Sequence, residues 1–196
     1  MKRDRHASVE RTTTETSIAV ELKLDGSGQA QIQTGIGMLD HLLAALTRHA
    51  QFDLALRCVG DLHVDDHHSC EDVALALGHA LDGALGERRG INRFGWSIAP
   101  LDDALARVAI DLSSRPFADV NLGLTRETLG ALSTENVAHF LRSFAVAGRL
   151  TLHADLLKGE NDHHRAEAAF KALALALRQA VGRSGSEDIP STKGVL

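Results

Sequence analysis

The stretch His67-His68-Ser69-Cys70-Glu71 recurs as His163-His164-Arg165-Ala166-Glu167, and each copy begins an alanine- and leucine-rich segment with helical spacing. Residues three and four positions apart share one face of a helix, so the glutamate of each copy can stand beside both of its histidines. Imidazole and carboxylate groups on one helix face form a metal-ligand set. One copy alone would fit an ordinary polar helix N-terminus equally well, whereas two copies favour metal binding.

A shorter helical segment with one histidine precedes each copy. His139 lies 98 positions after His41, and His163 lies 96 positions after His67, so a two-residue difference in one loop accounts for both offsets. We infer that one αβ unit is duplicated and fused, and that the histidine on the preceding helix serves each copy. The expected organisation is one domain over residues 1–196, made of pseudo-repeats at about 8–90 and 91–182 and a tail at 183–196.

The spacing of apolar residues predicts an α+β fold, with helices packed on a mixed or antiparallel β-sheet. Residues 17–24 alternate as a half-buried strand does, and a short strand through Ala30 and Ile32 would form a hairpin with it. The stretch 125–133 is rich in turn residues. The other predicted elements are helices from Met38 to near His49, from His67 to about Gly86, over 134–147 and over 163–181, and strands over 52–58, from Arg93, and over 108–112, 117–124 and 150–156.

Composition narrows the class of protein. The chain has 196 residues, a formal net charge of -5 and no dense cluster of lysine and arginine, which argues against nucleic acid as its main partner. Cys58 and Cys70 are too few for a disulfide framework, and no apolar signal region opens the chain, so we expect a reducing cytoplasm. No apolar run approaches the length of a membrane span, so we expect no membrane insertion.

The geometry of a helix limits how the histidines can be used. Neighbouring helical residues point about 100° apart, so the two histidines of one copy cannot easily bind the same ion. Two metal ions shared among the sets would use all eight candidate side chains, and nitrogen-rich sites suit Mn, Fe, Co, Ni or Zn. The candidate ligands are His41, His67, His68, Glu71, His139, His163, His164 and Glu167.

Two other classes also combine histidine with glutamate. Di-iron carboxylate bundles carry Glu-x-x-His on four helices, but here the order is reversed and half the chain is predicted as strand. A metal-binding or storage assembly without catalysis fits the ligand set equally well, although it gives no role to Glu15 or to the distant basic residues. The residues alone therefore leave an enzyme and a storage module open.

Several motifs in fixed order make the chain resemble the imidazoleglycerol-phosphate dehydratase family, which acts in histidine biosynthesis. The resemblance covers nearly the whole chain. The motifs that carry it are Arg11-Thr12 through Glu15-Thr16, Leu39-Asp40-His41, His67-His68-Ser69-Cys70-Glu71-Asp72, Arg93-Phe94-Gly95, Asp111-Leu112-Ser113-Ser114-Arg115-Pro116, Asn161-Asp162-His163-His164 with Glu167 and Phe170-Lys171, and Ser191-Thr192-Lys193-Gly194.

The resemblance implies a fold, an assembly and a reaction. The fold is a duplicated αβ unit of the ribosomal protein S5 domain 2-like type, and trimers pack into a 24-subunit shell. Two manganese ions occupy each active site, bound by the same eight side chains drawn from neighbouring subunits. The implied reaction removes water from D-erythro-imidazole glycerol phosphate and gives imidazole acetol phosphate, which makes the protein a hydro-lyase.

The resemblance also assigns roles to single residues. Glu15 is the base that removes the carbon-bound proton, and His41 contacts the substrate as well as the metal. Lys171 is expected to contact a substrate hydroxyl. Ala45 stands where many relatives carry glutamine, so one phosphate-side contact is missing or supplied otherwise. The phosphate pocket is assigned to Arg93, Arg115, Ser191 and Lys193. Without the resemblance, the tail that contains Ser191 and Lys193 would be predicted to be disordered.

Overall fold

The computed structural model describes residues 5–196. Its first half contains four strands and two helices. In chain order they are β1 (His6–Thr12), β2 (Thr16–Lys23), β3 (Ala30–Gln33), α1 (Gly37–Ala50), β4 (Asp53–Gly60) and α2 (His67–Leu85). The alternation of residues 17–24 is realised in β2, where every second side chain is buried.

The second half repeats this order with one added pair of very short strands. Its elements are β5 (Phe94–Leu101), β6 (Ala104–Asp111), β7 (Phe117–Asn121), β8 (Thr128–Leu129), β9 (Leu132–Ser133), α3 (Thr134–Ala147), β10 (Thr151–Lys158) and α4 (Asp162–Ala180). The predicted helix over 134–147 has the same bounds as α3. The turn-rich stretch at 125–133 contains the β8–β9 pair.

The two halves have the same sheet topology. The first sheet has the order β1-β2-β4-β3, and the second has the order β5-β6-β10-β7. In each sheet the first three strands are antiparallel and the last strand pairs in parallel. The predicted α+β fold with a duplicated αβ unit and mixed sheets is therefore confirmed.

Two strands differ from the prediction. The segment through Ala30 and Ile32 forms no hairpin with β2, because β3 pairs in parallel with β4. Helix α1 connects β3 to β4, and a helical crossover joins parallel strands, while both edges of β2 are already paired. Strand β1 has no predicted counterpart, because its alternate side chains are only partly buried at the sheet edge.

The helices pack between the halves rather than only within them. Helix α2 lies on β1 and β2 and also against α3, while α4 lies on β5 and β6 and against α1. The approach of α3 to α2 is close at Gly78, where an added Cβ would lie 2.7 Å from the Phe144 carbonyl oxygen. One continuous cluster of buried apolar side chains joins both halves. Among the described helices, none is long and apolar enough to cross a membrane.

The C-terminal tail is hydrogen-bonded to the segment that opens the second half. The amide of Gly90 donates to the carbonyl of Asp188 at 2.9 Å, and the amide of Ser184 donates to the carbonyl of Gly90 at 2.9 Å. The guanidinium of Arg93 donates to the carbonyl of Pro190 at 2.8 Å. The disorder predicted from composition alone is therefore wrong for this part of the tail, because the backbone of Gly90 and the guanidinium of Arg93 hold it.

Candidate metal centre and active site

One ligand cluster forms where α1 packs against α4. Nε2 of His41 lies 3.0 Å from Oε2 of Glu167, and Nε2 of His163 lies 3.3 Å from the same oxygen. The ligand atoms of these three residues all lie within 4.8 Å of one another, a spacing that one metal ion could bridge. We refer to His41, His163 and Glu167 as cluster A.

A second cluster of the same composition forms where α2 packs against α3. Nε2 of His139 lies 3.1 Å from Oε1 of Glu71, and the rings of His139 and His67 stack with their centroids 4.8 Å apart. The ligand atoms of this trio also lie within 4.8 Å of one another. We refer to His67, Glu71 and His139 as cluster B.

Each cluster takes residues from both halves of the chain. We predicted that the histidine on the preceding helix would serve each copy, but His41 of the first half joins the copy in the second half, and His139 joins the copy in the first. This expectation was wrong because α1 packs on α4 and α3 packs on α2. Helical spacing determines which face carries the ligands, whereas tertiary packing determines which helix faces them.

The second histidine of each copy points elsewhere, as the 100° step of a helix predicts. Nδ1 of His68 lies 3.0 Å from Oδ2 of Asp61, and its Nε2 lies 3.6 Å from Oε1 of Glu15. Among residues 5–196, neither His68 nor His164 belongs to a group of three ligand residues close enough to share one metal ion. The predicted ligands thus form two trios and two separate histidines.

His164 repeats this environment in the second half. Its Nδ1 lies 2.5 Å from Oδ1 of Asp103, and its Nε2 lies 3.5 Å from Oδ2 of Asp102. The amides of Glu160 and Asn161 donate to the other oxygen of Asp103 at 2.6 and 3.0 Å. Each separate histidine therefore has one carboxylate on Nδ1 and a second carboxylate near Nε2.

These contacts shift the protonation of the groups involved. The hydrogen bond with Asp61 raises the pKa of His68 and lowers the pKa of Asp61, and Asp103 likewise raises the pKa of His164. The amide of Glu160, with His164 and Asn161, holds the pKa of Asp103 far below its usual range. Burial raises the pKa of Glu167, but hydrogen bonds from Lys171 and His41 outweigh it and bring the pKa to about 2.

The donor chemistry of both clusters fits a divalent transition metal. Each offers two imidazoles and one carboxylate, which are ligands that Mn, Fe, Co, Ni and Zn accept. Oδ1 of Asn136 lies 3.1 Å from Nδ1 of His67, so Nδ1 can donate a proton there while Nε2 keeps its lone pair. Sequence reasoning missed Asn136, because a lone asparagine on a helix carries no pattern.

Glu15 lies at the turn between β1 and β2, close to His68. The hydroxyl of Thr13 accepts from the amides of Glu15 and Thr16 at 3.1 and 3.0 Å, which shapes the turn. Asp72 on α2 accepts from the Thr16 hydroxyl at 2.6 Å and from Arg11 at 2.9 Å. The turn is therefore fastened to the helix that carries cluster B, and the Glu15 side chain remains half-exposed.

The residues assigned to phosphate gather at a separate place in the chain. Arg93 donates to Asp111 at 2.7 and 3.0 Å, and Arg115 extends to 3.9 Å from the same carboxylate. Because Arg93 also binds the carbonyl of Pro190, the following residue Ser191 lies next to this pair. The hydroxyl of Ser191 accepts from the amide of Lys193 at 3.2 Å. Two guanidinium groups and the tail thus meet at one end of the strands of the second sheet.

Two further predicted positions lie beside cluster A. Nζ of Lys171 lies 2.8 Å from Oε1 of Glu167, one turn away on α4. Ala45 is partly exposed one turn after His41 on α1. A cavity of about 470 Å³ opens next to this cluster, lined by Gly37, Met38, His41, Arg126, Leu129, Gly130 and His163.

Known proteins resemble this chain in both sequence and structure. A family model described as imidazoleglycerol-phosphate dehydratase matches residues 34–177. A protein of that name from Phytophthora nicotianae is 56% identical over 192 residues, and the match covers 98% of this chain and 42% of that protein. One from Eremothecium gossypii is 50% identical over 219 residues, with 100% of each chain covered. The crystal structure of the Pyrococcus furiosus relative has a TM-score of 0.83 at 38% identity and covers 96% of this chain and 100% of that one.

Proposed function

Because the chain belongs to the imidazoleglycerol-phosphate dehydratase family, we propose that it dehydrates its substrate with the help of bound metal ions. The chain is a hydro-lyase of histidine biosynthesis. The proposed reaction converts D-erythro-imidazole glycerol phosphate into imidazole acetol phosphate at a site with two manganese ions. The observation that carries the metal is the pair of matching His-His-Glu clusters, each with its ligand atoms within 4.8 Å of one another.

The metal ions would be held by clusters A and B, together with His68 and His164. A bound divalent ion supplies Lewis acidity that stabilises negative charge on a substrate. Manganese is the metal that the family resemblance implies, and the same ligands accept Fe, Co, Ni or Zn. In cluster A, His41 also lies where it can contact a bound substrate, because it lines the cavity beside the cluster.

Glu15 is proposed to remove the proton from the carbon next to the one that carries the imidazole ring. This proton is weakly acidic, so a carboxylate must lie close to it and be ionised. Glu15 sits on a braced turn and remains half-exposed, which leaves its carboxylate free to reach a bound substrate. The proton passes to Glu15, and the electrons of its C–H bond form a C=C double bond to the carbon that carries the ring. The hydroxyl group leaves that ring-bearing carbon with the electrons of its C–O bond, and the resulting enol becomes a ketone.

The phosphate of the substrate is proposed to bind Arg93, Arg115, Ser191 and Lys193. A guanidinium group can donate two parallel hydrogen bonds to a phosphate. Arg115 is largely exposed, and its contact with Asp111 is long at 3.9 Å. Its guanidinium can therefore turn towards an anion. Arg93 is already engaged with Asp111 and Pro190, which suits it to position the tail beside that anion.

Lys171 is proposed to approach a hydroxyl of the substrate while it remains paired with Glu167. At 2.8 Å from Oε1 of Glu167, its ammonium group helps to keep that carboxylate ionised. A lysine has three donors, so one can hold Glu167 while another binds an oxygen of the substrate. Ala45, one turn after His41, leaves space where a glutamine would provide an additional polar contact.

We propose that each active site combines residues of neighbouring subunits. His68 and His164 lie outside the trios of their own chain, so each can complete a cluster on another copy. Exposed apolar side chains on the outer face of the second sheet, including Trp96 and Ile98, support self-association. Trimers that pack into a 24-subunit shell are the assembly we propose. The cytoplasm is the proposed compartment, since Cys58 and Cys70 are buried and unpaired.

The second candidate function is a metal-binding or storage assembly without catalysis. The two clusters alone would satisfy that function equally well. The braced position of Glu15 beside His68 and the convergence of Arg93, Arg115 and the tail favour the enzyme, because storage requires neither.

Turnover of imidazole glycerol phosphate by the purified protein tests this proposal. We expect the chelator-stripped protein to be inactive and manganese to restore the dehydration. Full activity with the metal removed would contradict the metal-dependent mechanism. Tight metal binding without any dehydration would favour the storage assembly. A particle mass near 21.0 kDa would contradict the shared sites, because that is the mass of one chain.

A further inference from the structure

We infer that Asp61 and Asp103 are positioning residues that orient His68 and His164 for donation to a metal site on another subunit. The inference rests on the proposed function, because it assumes that these histidines bind metal. Among residues 5–196, neither carboxylate belongs to a group of ligand atoms close enough to share one metal ion. Their role would be to fix both the direction of each ring and the nitrogen that carries its proton.

The contact between Asp61 and His68 leaves one ring nitrogen free. An ionised carboxylate only accepts hydrogen bonds, so Nδ1 of His68 must carry the proton at 3.0 Å from Oδ2 of Asp61. In the neutral ring, Nε2 then keeps its lone pair, which is what a metal ligand requires. Metal-bound histidines in proteins usually donate their other N–H to a carboxylate, a carbonyl or water for this reason.

The contact between Asp103 and His164 is held more firmly. Oδ1 of Asp103 accepts from Nδ1 of His164, while Oδ2 accepts from the amides of Glu160 and Asn161. These two backbone donors lie just before α4, and His164 lies in the first turn of that helix. They fix the carboxylate relative to the start of the helix, and the carboxylate in turn fixes the ring.

The two carboxylates do not occupy equivalent places in the duplicated fold. Asp61 follows β4, whereas Asp103 lies in the turn between β5 and β6. The position after β10 that matches Asp61 is Gly159, which has no side chain. Inheritance from a common repeat therefore does not explain why both histidines have an aspartate on Nδ1. It is explained directly if both rings must keep the proton on Nδ1 and the lone pair on Nε2.

Asp103→Asn gives a sharp test because the backbone amides determine how the new side chain sits. The amide oxygen must face the N–H groups of Glu160 and Asn161, so its NH₂ group faces Nδ1 of His164. Nδ1 must then accept, and the proton moves to Nε2, the nitrogen needed for metal. Asp61→Asn should act more weakly, because Oδ1 of Asp61 has no partner within residues 5–196 and the amide can turn either way.

The measurement is manganese affinity, obtained by competition with a chromogenic chelator, together with the thermal midpoint of the metal-free proteins. We expect Asp103→Asn to weaken the affinity at one site by about 10- to 100-fold, with a smaller loss for Asp61→Asn. Added manganese should restore turnover, and the metal-free midpoint should stay unchanged. Asp119→Asn is the matched control, because Asp119 faces Nδ1 of His153 at 3.9 Å on the outer sheet face and should change nothing.

A manganese affinity of Asp103→Asn within about twofold of the wild type would overturn the inference, because loss of the carboxylate behind a metal-bound histidine usually costs about 10- to 100-fold in affinity. A loss of affinity that follows a lowered midpoint of the metal-free protein would also overturn it, because Asp103 would then serve the fold alone. Failure of the proposed function looks different, since the wild-type protein itself would then bind no manganese, or bind it without dehydrating imidazole glycerol phosphate.

Discussion

Nε2 of His41 lies 3.0 Å from Oε2 of Glu167, although 126 positions separate the two residues in the chain. His139 and Glu71 make the reciprocal contact at 3.1 Å. Each candidate metal site is therefore built from both halves of a duplicated chain. A change in one half should affect the cluster that it shares with the other half.

Removing one histidine of one cluster should abolish metal binding at that cluster and leave the other cluster loaded. We predict that His41→Ala loses metal at cluster A and His139→Ala loses it at cluster B, so that each variant falls from two ions per chain to one. Metal content of the purified proteins, measured by mass spectrometry, checks this. His153→Ala, an exposed histidine outside both clusters, serves as the control. If both variants keep two ions, the cross-half clusters do not bind metal.

Replacing the proposed base should stop the chemistry without disturbing the metal. We predict that Glu15→Gln lowers kcat by roughly 10²- to 10⁴-fold, the range that a general base contributes, and retains the wild-type metal content. Glu10→Gln, which changes an exposed strand residue nearby, should keep full turnover. A Glu15→Gln protein with normal kcat would remove Glu15 from the mechanism.

The phosphate pocket can be tested at its most exposed cation. We predict that Arg115→Ala lowers kcat/KM by roughly ten- to a hundredfold, because a charge-assisted hydrogen bond contributes about 1.5–3 kcal/mol. The loss should appear mainly in KM, and metal content should not change. The control is Arg107→Ala, which breaks a surface pair with Asp155 at 2.9 Å. Equal losses in both variants would argue against a specific phosphate contact.

A buried guanidinium near the N-terminus gives a prediction for stability against pH. The hydrogen bond from Arg5 is the largest influence on Asp25 and lowers its pKa, and Arg5 also binds the carbonyl of Val181. A carboxyl with a lowered folded pKa stabilises the protein above its unfolded pKa of about 3.9, and this contribution is lost as pH falls through the folded value.

We therefore predict that Asp25→Asn is less stable at pH 7 by about 1 kcal/mol, a modest value because the carboxylate is half-exposed. The difference from the wild type should shrink as pH falls below about 3.9, where the unfolded chain takes up the proton first, and it should be lost as pH falls through the lower pKa of the folded protein. Urea unfolding of the metal-free proteins across this pH range measures it. A difference that stays constant down to pH 2 would contradict the assigned ion pair.

Much of the site follows from local spacing. The His-His-x-x-Glu copies predict two helix starts, because i, i+3 and i+4 positions share a face, and α2 and α4 begin at His67 and Asp162. The same spacing places Glu71 and Glu167 beside histidines of their own helix. It also separates the paired histidines, since one of each pair points away from its cluster.

The rest depends on contacts that no local pattern records. The packing of the whole core decides which helices lie against each other. The periodicity and spacing of residues along the chain therefore could not show that His41 joins the ligands of the second half and His139 those of the first. Asp61 and Asp103 look like ordinary turn residues in the sequence. The tail is polar and rich in glycine and serine, yet the backbone of Gly90 and the guanidinium of Arg93 hold it.

The most direct test of the account is an anomalous difference map from crystals of the protein grown with manganese. Two peaks per chain are predicted, one among His41, His163 and Glu167 and the other among His67, Glu71 and His139, with His68 or His164 of a neighbouring subunit completing each. Peaks at other places, or fully ordered clusters with no anomalous density at saturating manganese, would contradict it.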